Sequence, residues 1–173
     1  MTEIVYRQLT PTDVEGVYAA ALEAWRFTYR DIFDSDFIER FVQANYAPDL
    51  LLALVPLVLA GQTFFQVAVD QGMIAGFCQI GLTDSGGEVF RIYLRPAFIG
   101  RGIGRTLLEQ GEAFVTGHGA TTLHCFVHKD NTLGMHFYLR NGFVRTSERD
   151  QGDEWSMEKT LRQERVETLK CAP

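Results

Sequence analysis

Basic residues are in short supply in this chain. Its 173 residues carry 16 Lys and Arg against 22 Asp and Glu, a formal charge of −6. A broad electrostatic grip on nucleic acid needs a basic surface, so no nucleic-acid partner is expected. The acidic balance suits a cationic small molecule or a basic peptide instead. Cysteine is scarce too. Cys78, Cys125 and Cys171 are odd in number and widely spaced, with no CxxC pair. That gives no disulfide framework and points to a reducing, cytoplasmic setting. Long apolar runs are also missing: the longest, 50–60, is broken by Pro56 and too short to span a bilayer. No basic region precedes an apolar stretch at the N-terminus, so neither a signal peptide nor a membrane partner is expected.

Several chemical signatures are absent. His118, His124, His128 and His136 show no HExxH spacing and no partner carboxylate cluster. No metal is expected, and each reads as a surface or packing histidine. Without a Gly-x-Ser-x-Gly elbow, acyl chemistry through a serine nucleophile is disfavoured. No Gly-Lys-Ser/Thr follows the glycines near residue 100, which excludes a Walker A loop, and Arg105 stands where a dinucleotide fingerprint wants its third glycine.

What is present reads as one domain over 1–160, followed by a charged tail, 161–173, expected to fray. Residues 3–9 read as a strand. Thr10-Pro11-Thr12-Asp13 then supplies a cap, a proline and an acid for a helix running to about Ala24. Residues 25–33 continue that helix or leave it; periodicity leaves both open. Asp34 or Ser35 can cap a second helix over 36–45. The segment 48–60 is a helix apolar nearly all round, buried or at the contact of a homodimer, and kinked or split at Pro56. A hairpin turns at Gln71-Gly72. A strand covers 88–94, a helix follows Gly102, and the strand at 121–127 is expected to lie parallel to 88–94. Asp130 or Asn131 caps a last helix, stopped at Gly142, and a hairpin at 143–149 and 154–159 closes the chain.

The stretch 88–108 organises the rest. Gly100, Gly102 and Gly104 alternate where a helix begins. Glycine lets backbone N–H groups approach a ligand closely, and the helix N-terminus adds roughly half a positive charge. Such a loop holds phosphate or pyrophosphate, with Arg101 and Arg105 adding charge. Asn131 and Tyr138 lie seven residues apart, about two helical turns, and so project from one face. Glu88 stands at the head of the strand upstream of the glycine loop.

Two blocks of this sequence resemble the GNAT superfamily of N-acetyltransferases. One is Ile92-Tyr-Leu-x-Pro96 with Arg101-Gly-Ile-Gly-Arg105; the other is Asn131-Thr-Leu-Gly-Met-His-Phe-Tyr-Leu-Arg-Asn-Gly-Phe143. The resemblance implies an α/β (α+β) fold: one mixed, mostly antiparallel sheet of seven strands, helices on both faces, and a splayed parallel pair holding the cofactor. It implies acetyl-CoA as cosubstrate. Backbone groups of Ile92, Tyr93 and Leu94 would meet the pantetheine, and Gly100, Arg101, Gly102, Ile103, Gly104 and Arg105 the pyrophosphate. Asn131 would contact the cofactor and Tyr138 would face the sulfur. Where the family usually begins its loop with Gln or Arg this chain has Ile99. Where the branch acting on ribosomal-protein N-termini carries a glutamate it has Phe126, which moves the base role to Glu88. The implied reaction is direct attack of a primary amine on the thioester in a ternary complex. The acceptor is expected to be a small molecule, a polyamine among the candidates, shaped by Trp25, Thr28, Tyr29, Asp31 and Phe33. The alternatives are a protein or peptide amine, or a regulator that binds acetyl-CoA without turnover.

Overall fold

The computed structural model describes residues 3–162. Its first strand, β1 (Val5–Gln8), leads through a single 3-10 turn at Pro11–Asp13 into helix α1 (Val14–Tyr29). The turn is held by Asp13, whose carboxylate accepts from the Thr10 N–H at 2.8 Å and from the two terminal guanidinium nitrogens of Arg7 at 2.6 and 2.8 Å. Helix α1 runs through the segment that periodicity left open, so Trp25 and Tyr29 stand one turn apart on its last stretch. Asp34, rather than Ser35, caps α2 (Ser35–Tyr46) by accepting from the Phe37 N–H at 2.7 Å.

Helix α3 (Pro48–Leu59) follows at once and is one helix with Pro56 inside it, so of the expected kink or split the split does not occur. Together α2 and α3 are long and apolar enough, by length and composition alone, to cross a membrane. Yet Ala47 between them is extended (ψ 143°), as the residue before a proline tends to be. Two helices of 12 residues result, each only about 18 Å long.

The remaining elements are β2 (Phe64–Asp70), β3 (Met73–Thr83), β4 (Gly86–Leu94), α4 (Ile103–Gly117), β5 (Thr122–His128), α5 (Thr132–Arg140), β6 (Val144–Gln151) and β7 (Glu154–Thr160). A two-residue turn joins β2 to β3, with Gln71 (φ 48°) and Gly72 (φ 84°) both left-handed, as the twist of a tight hairpin requires. The seven strands form one sheet in the order β1-β2-β3-β4-β5-β7-β6. All its pairings are antiparallel except β4 with β5. This is the expected architecture.

Two apolar cores fill the faces. On one side α1, α2 and α3 cover Phe65, Val67 and Phe77 with Val17, Ile38, Val42, Leu51 and Val55. On the other, Ile103, Leu107, Leu108 and Val115 of α4 meet Ile80, Val89, Leu123, Cys125 and Met157. Both described cysteines, Cys78 and Cys125, are free and buried. Leu161, placed in the tail by its sequence, is buried, and its N–H donates to the Thr121 carbonyl at 2.8 Å. The rest of that tail, from 163 onward, lies outside the described residues. The buried core under α1–α3 includes no residue of β5, β7 or β6, and Phe33, in the turn after α1, reaches His128 of β5.

Candidate active site

The parallel pair is short. β4 and β5 are in register only from Gly87 opposite Leu123 to Val89 opposite Cys125. At the next residue β4 bulges: Gln79 pairs with Arg91 and Ile80 with Val89, leaving Phe90 as the extra residue. A bulge bends its strand. Beyond it β4 follows β3 while β5 follows β7, and the two part. A cavity of about 430 Å³ occupies the gap. Arg95 donates its N–H to Ala75 O at 2.9 Å. By the alternation of an antiparallel ladder, Tyr93 then turns its amide to β3, and Ile92 and Leu94 turn theirs to the gap. Ile92 and Leu94 therefore offer backbone groups there, while Tyr93 offers its side chain.

The glycine loop closes one end. Gly100 (φ 83°) and Gly102 (φ 81°) are left-handed, and Gly102 caps α4 with no side chain over the first turn. A Cβ at either glycine would meet nothing within 4 Å, so no neighbouring element packs on that side of the loop. This is a built cradle for an anion, and it fits a pyrophosphate. Gly100, Gly102, Gly104 and Arg105 line the cavity, as does Ile99. The side chains of the other two loop residues turn elsewhere. The Arg101 guanidinium sits over the Phe98 ring at 4.9 Å, and Ile103 is buried in the core, so only their backbone can serve. Arg105 is engaged with Glu109 at 2.7 Å at the surface. Sequence reasoning missed Arg140 and Asn141, which line the same cavity from the end of α5.

Asn131 is the cap of α5: its side-chain carbonyl accepts from the Gly134 N–H at 2.9 Å. Its amide nitrogen donates to the Tyr29 hydroxyl at 3.3 Å, which in turn lies 3.4 Å from the Tyr93 hydroxyl. One buried side chain thus ties α5, α1 and β4 together at the cavity wall. Tyr138 lines the cavity two turns along, 6% exposed, its ring against Phe137 and Phe143. Burial pushes its phenol well above the ordinary value, and neighbouring Cys125 and Cys78 add to the rise. Tyr29 is pushed up to about 12, again by burial first. Both stay protonated at neutral pH, as hydrogen-bond donors must.

Of the residues expected at the acceptor end, Thr28 and Tyr29 line the cavity. Trp25 does not. It is buried, its ring 4.2 Å from those of both Tyr29 and Phe41, and packs behind the wall. Asp31 also lies away from the cavity, its side chain 89% exposed beside Arg30. Phe33 meets the edge of the His128 ring at 5.3 Å. Glu88 sits in the closed part of the ladder, opposite His124, two residues before Phe90 and just outside the cavity wall. Burial raises its carboxyl above the ordinary range, while His124 and Arg149 pull it back. Phe90, Arg91 and Phe126 line the wall instead. His124 is buried, with Nε2 donating to the Ser85 carbonyl at 3.1 Å and Nδ1 3.3 Å from Glu158.

A family model described as Acetyltransferase (GNAT) family matches residues 17–143. A spermidine N(1)-acetyltransferase of Thermoplasma acidophilum is 29% identical over 157 residues, 90% of this chain and 96% of that protein. A mycothiol acetyltransferase of Rhodococcus erythropolis is 41% identical over 59 residues, but those cover 34% of this chain and only 20% of the relative. Among solved structures, the PaiA N-acetyltransferase of Thermoplasma acidophilum in complex with coenzyme A superposes with a TM-score of 0.86 at 28% identity. The match covers 91% of this chain and 99% of that one.

Proposed function

This chain belongs to the GNAT acetyltransferase family and is an N-acetyltransferase, and from that premise we propose that it acetylates a primary amine of a small, polyamine-like molecule. The acetyl donor is acetyl-CoA, and transfer is direct, within a ternary complex. One observation carries the reading: a single cavity joins an open anion cradle at the start of α4 to Tyr138 and, across the splayed strands, to Tyr29 and Phe126. The solved coenzyme A complex of a relative of the same size supports the donor, and the spermidine acetyltransferase supports the acceptor class.

Acetyl-CoA, when bound, supplies an activated thioester carbonyl. The chain's own residues do the rest. Amides of the glycine loop and the positive end of α4 hold the pyrophosphate. The inward-facing N–H groups of β4, at Ile92 and Leu94, orient the donor and stabilise charge building on a carbonyl oxygen. Tyr138 gives a hydrogen bond to the departing sulfur. Even an ordinary phenol near 10 against a thiol near 8.5 would make full proton transfer uphill by roughly 2 kcal/mol, and the burial of Tyr138 raises that further, so a hydrogen bond suffices. Tyr29, fixed by Asn131 and Tyr93, faces the incoming nitrogen. Glu88, two residues before Phe90 on β4, takes the ammonium proton through a water.

The Glu88 assignment has a testable sign. A base works when deprotonated, and burial raises this carboxyl above 4.5. Activity should fall as the pH drops through that raised value, giving kcat/KM an acidic limb. Glu88→Gln should remove the limb and lower the rate about a hundredfold. An unaltered limb would assign the proton to another group. The function as a whole is tested by thiol release from acetyl-CoA against a panel of polyamines, amino acids and peptides. Turnover confined to the polyamines is the expected result; turnover only with peptides would give the acceptor site to a protein amine. Binding of acetyl-CoA with no thiol release against any acceptor would make the chain a regulator.

A further inference from the structure

We infer that the far end of the open sheet face, at His128 and Glu154, is a second subsite that holds the distal ammonium of a diamine or polyamine acceptor. This rests on the acetyl-transfer reading above and adds the element that would select the acceptor.

The placement follows from strand register. On β5, His124, Phe126 and His128 share one face by alternation. Phe126 lines the cavity, and His128 lies two residues on, about 7 Å away along the strand, a spacing that a short methylene chain between two nitrogens covers. Directly opposite His128 on β7 is Glu154. The position is anchored: Lys129 donates its N–H to Asp153 O at 2.8 Å, and its ammonium pairs with the Asp153 carboxylate at 2.6 Å. This ties the β6–β7 hairpin to the loop before α5.

The chemistry is that of a cation site. Glu154 is half-buried, and its carboxylate makes no ion pair and no side-chain hydrogen bond among the described residues. Burial raises its carboxyl above the ordinary range. Desolvating a carboxylate is unfavourable unless a charge meets it. His128 faces it with an unused donor. It is 6% exposed, yet only Nδ1 is engaged, accepting from the Asp130 N–H at 3.2 Å. With Nδ1 accepting, the ring hydrogen sits on Nε2. The Nε2–H has no partner among the described residues and can hold one Glu154 oxygen, leaving the other for a ligand N–H. Asp130 adds negative charge 3.8 Å from the ring. The Phe33 ring on His128, with Phe37 and Tyr29 beyond it, makes an aromatic wall suited to the methylenes and charge of an alkylammonium.

The test compares two acceptors of one length: 1,4-diaminobutane, which carries the distal charge, and n-butylamine, which lacks it. The ratio of their kcat/KM values should favour the diamine in the unmodified enzyme. Glu154→Gln should lower that ratio about tenfold to a hundredfold, the loss expected for a hydrogen bond to a charged group. Glu154→Asp should retain part of it. A ratio unchanged in Glu154→Gln would overturn the subsite. So would a ratio that falls only in Glu88→Gln, since the distal charge would then lie at the opposite end of β5. In both cases turnover itself persists and the acetyl-transfer reading stands. No turnover with either amine or with spermidine would remove that reading and the subsite with it.

Discussion

Replacing Tyr138 with Phe should lower kcat about a hundredfold while leaving the KM for acetyl-CoA within a few-fold, as removal of a group acting mainly in the transition state does. The ring stays, so its packing against Phe137 and Phe143 survives, and only the hydroxyl at the cavity is lost. The pH dependence adds a second check. Tyr138 acts in its protonated form, and burial raises the pH at which it would lose the proton. It should therefore contribute no basic limb below its ordinary value near 10. Steady-state kinetics with spermidine as acceptor would measure both. Turnover unchanged in Tyr138→Phe would take the leaving-group role from this residue.

Gly102→Val should weaken acetyl-CoA binding by about thirtyfold or more. Gly102 is the left-handed cap of α4, and a non-glycine residue there costs of order 1–3 kcal/mol, a β-branched one the upper part of that range. The chain would relieve the strain by rotating the amides that face the anion. Gly61 is a control, because it has a similar φ of 67°, open space around it, and a position past the end of α3. Gly61→Val should lower the melting temperature to a similar degree without changing affinity. Calorimetric titration of both variants with coenzyme A would separate strain from ligand contact. Equal affinities in the two variants would mean that the cradle is not where the pyrophosphate sits.

The glycine loop, the parallel pair and the Asn131–Tyr138 helix could be read from the sequence because each rests on local chemistry. Left-handed glycines, a crossover between strand-like runs and a cap with a defined spacing act within a few residues. What escaped reading depends on distant partners. Trp25 and Tyr29 are indifferent helix formers, and only their packing on Phe41 and Tyr93 extends α1 through them. The same packing puts Trp25 behind the cavity wall rather than in the cavity. The bulge at Phe90 has no signal at Phe90 itself. The signal lies across the ladder, at Gly81, where a Cβ would come within 2.4 Å of the Phe90 ring. Likewise His124 and His128 look ordinary in sequence, because the residues that give them meaning, Glu158 and Glu154, sit on a strand about 30 residues later that must first pair with β5. Asp31 shows the converse error: one acidic residue among aromatics suggested a cation contact, and the turn after α1 carries it out to solvent.

The central claim is that this cavity passes an acetyl group from acetyl-CoA straight to a small amine. The most direct measurement follows the carbon. The enzyme is mixed with acetyl-CoA carrying an isotopic label in the acetyl group, spermidine is added, and protein and small molecules are separated by mass spectrometry within a single turnover. The label should appear on a spermidine nitrogen and never on the protein. Label held in a covalent acetyl-enzyme would contradict direct transfer. Label remaining wholly in the thioester, with spermidine unmodified, would contradict the proposed function itself.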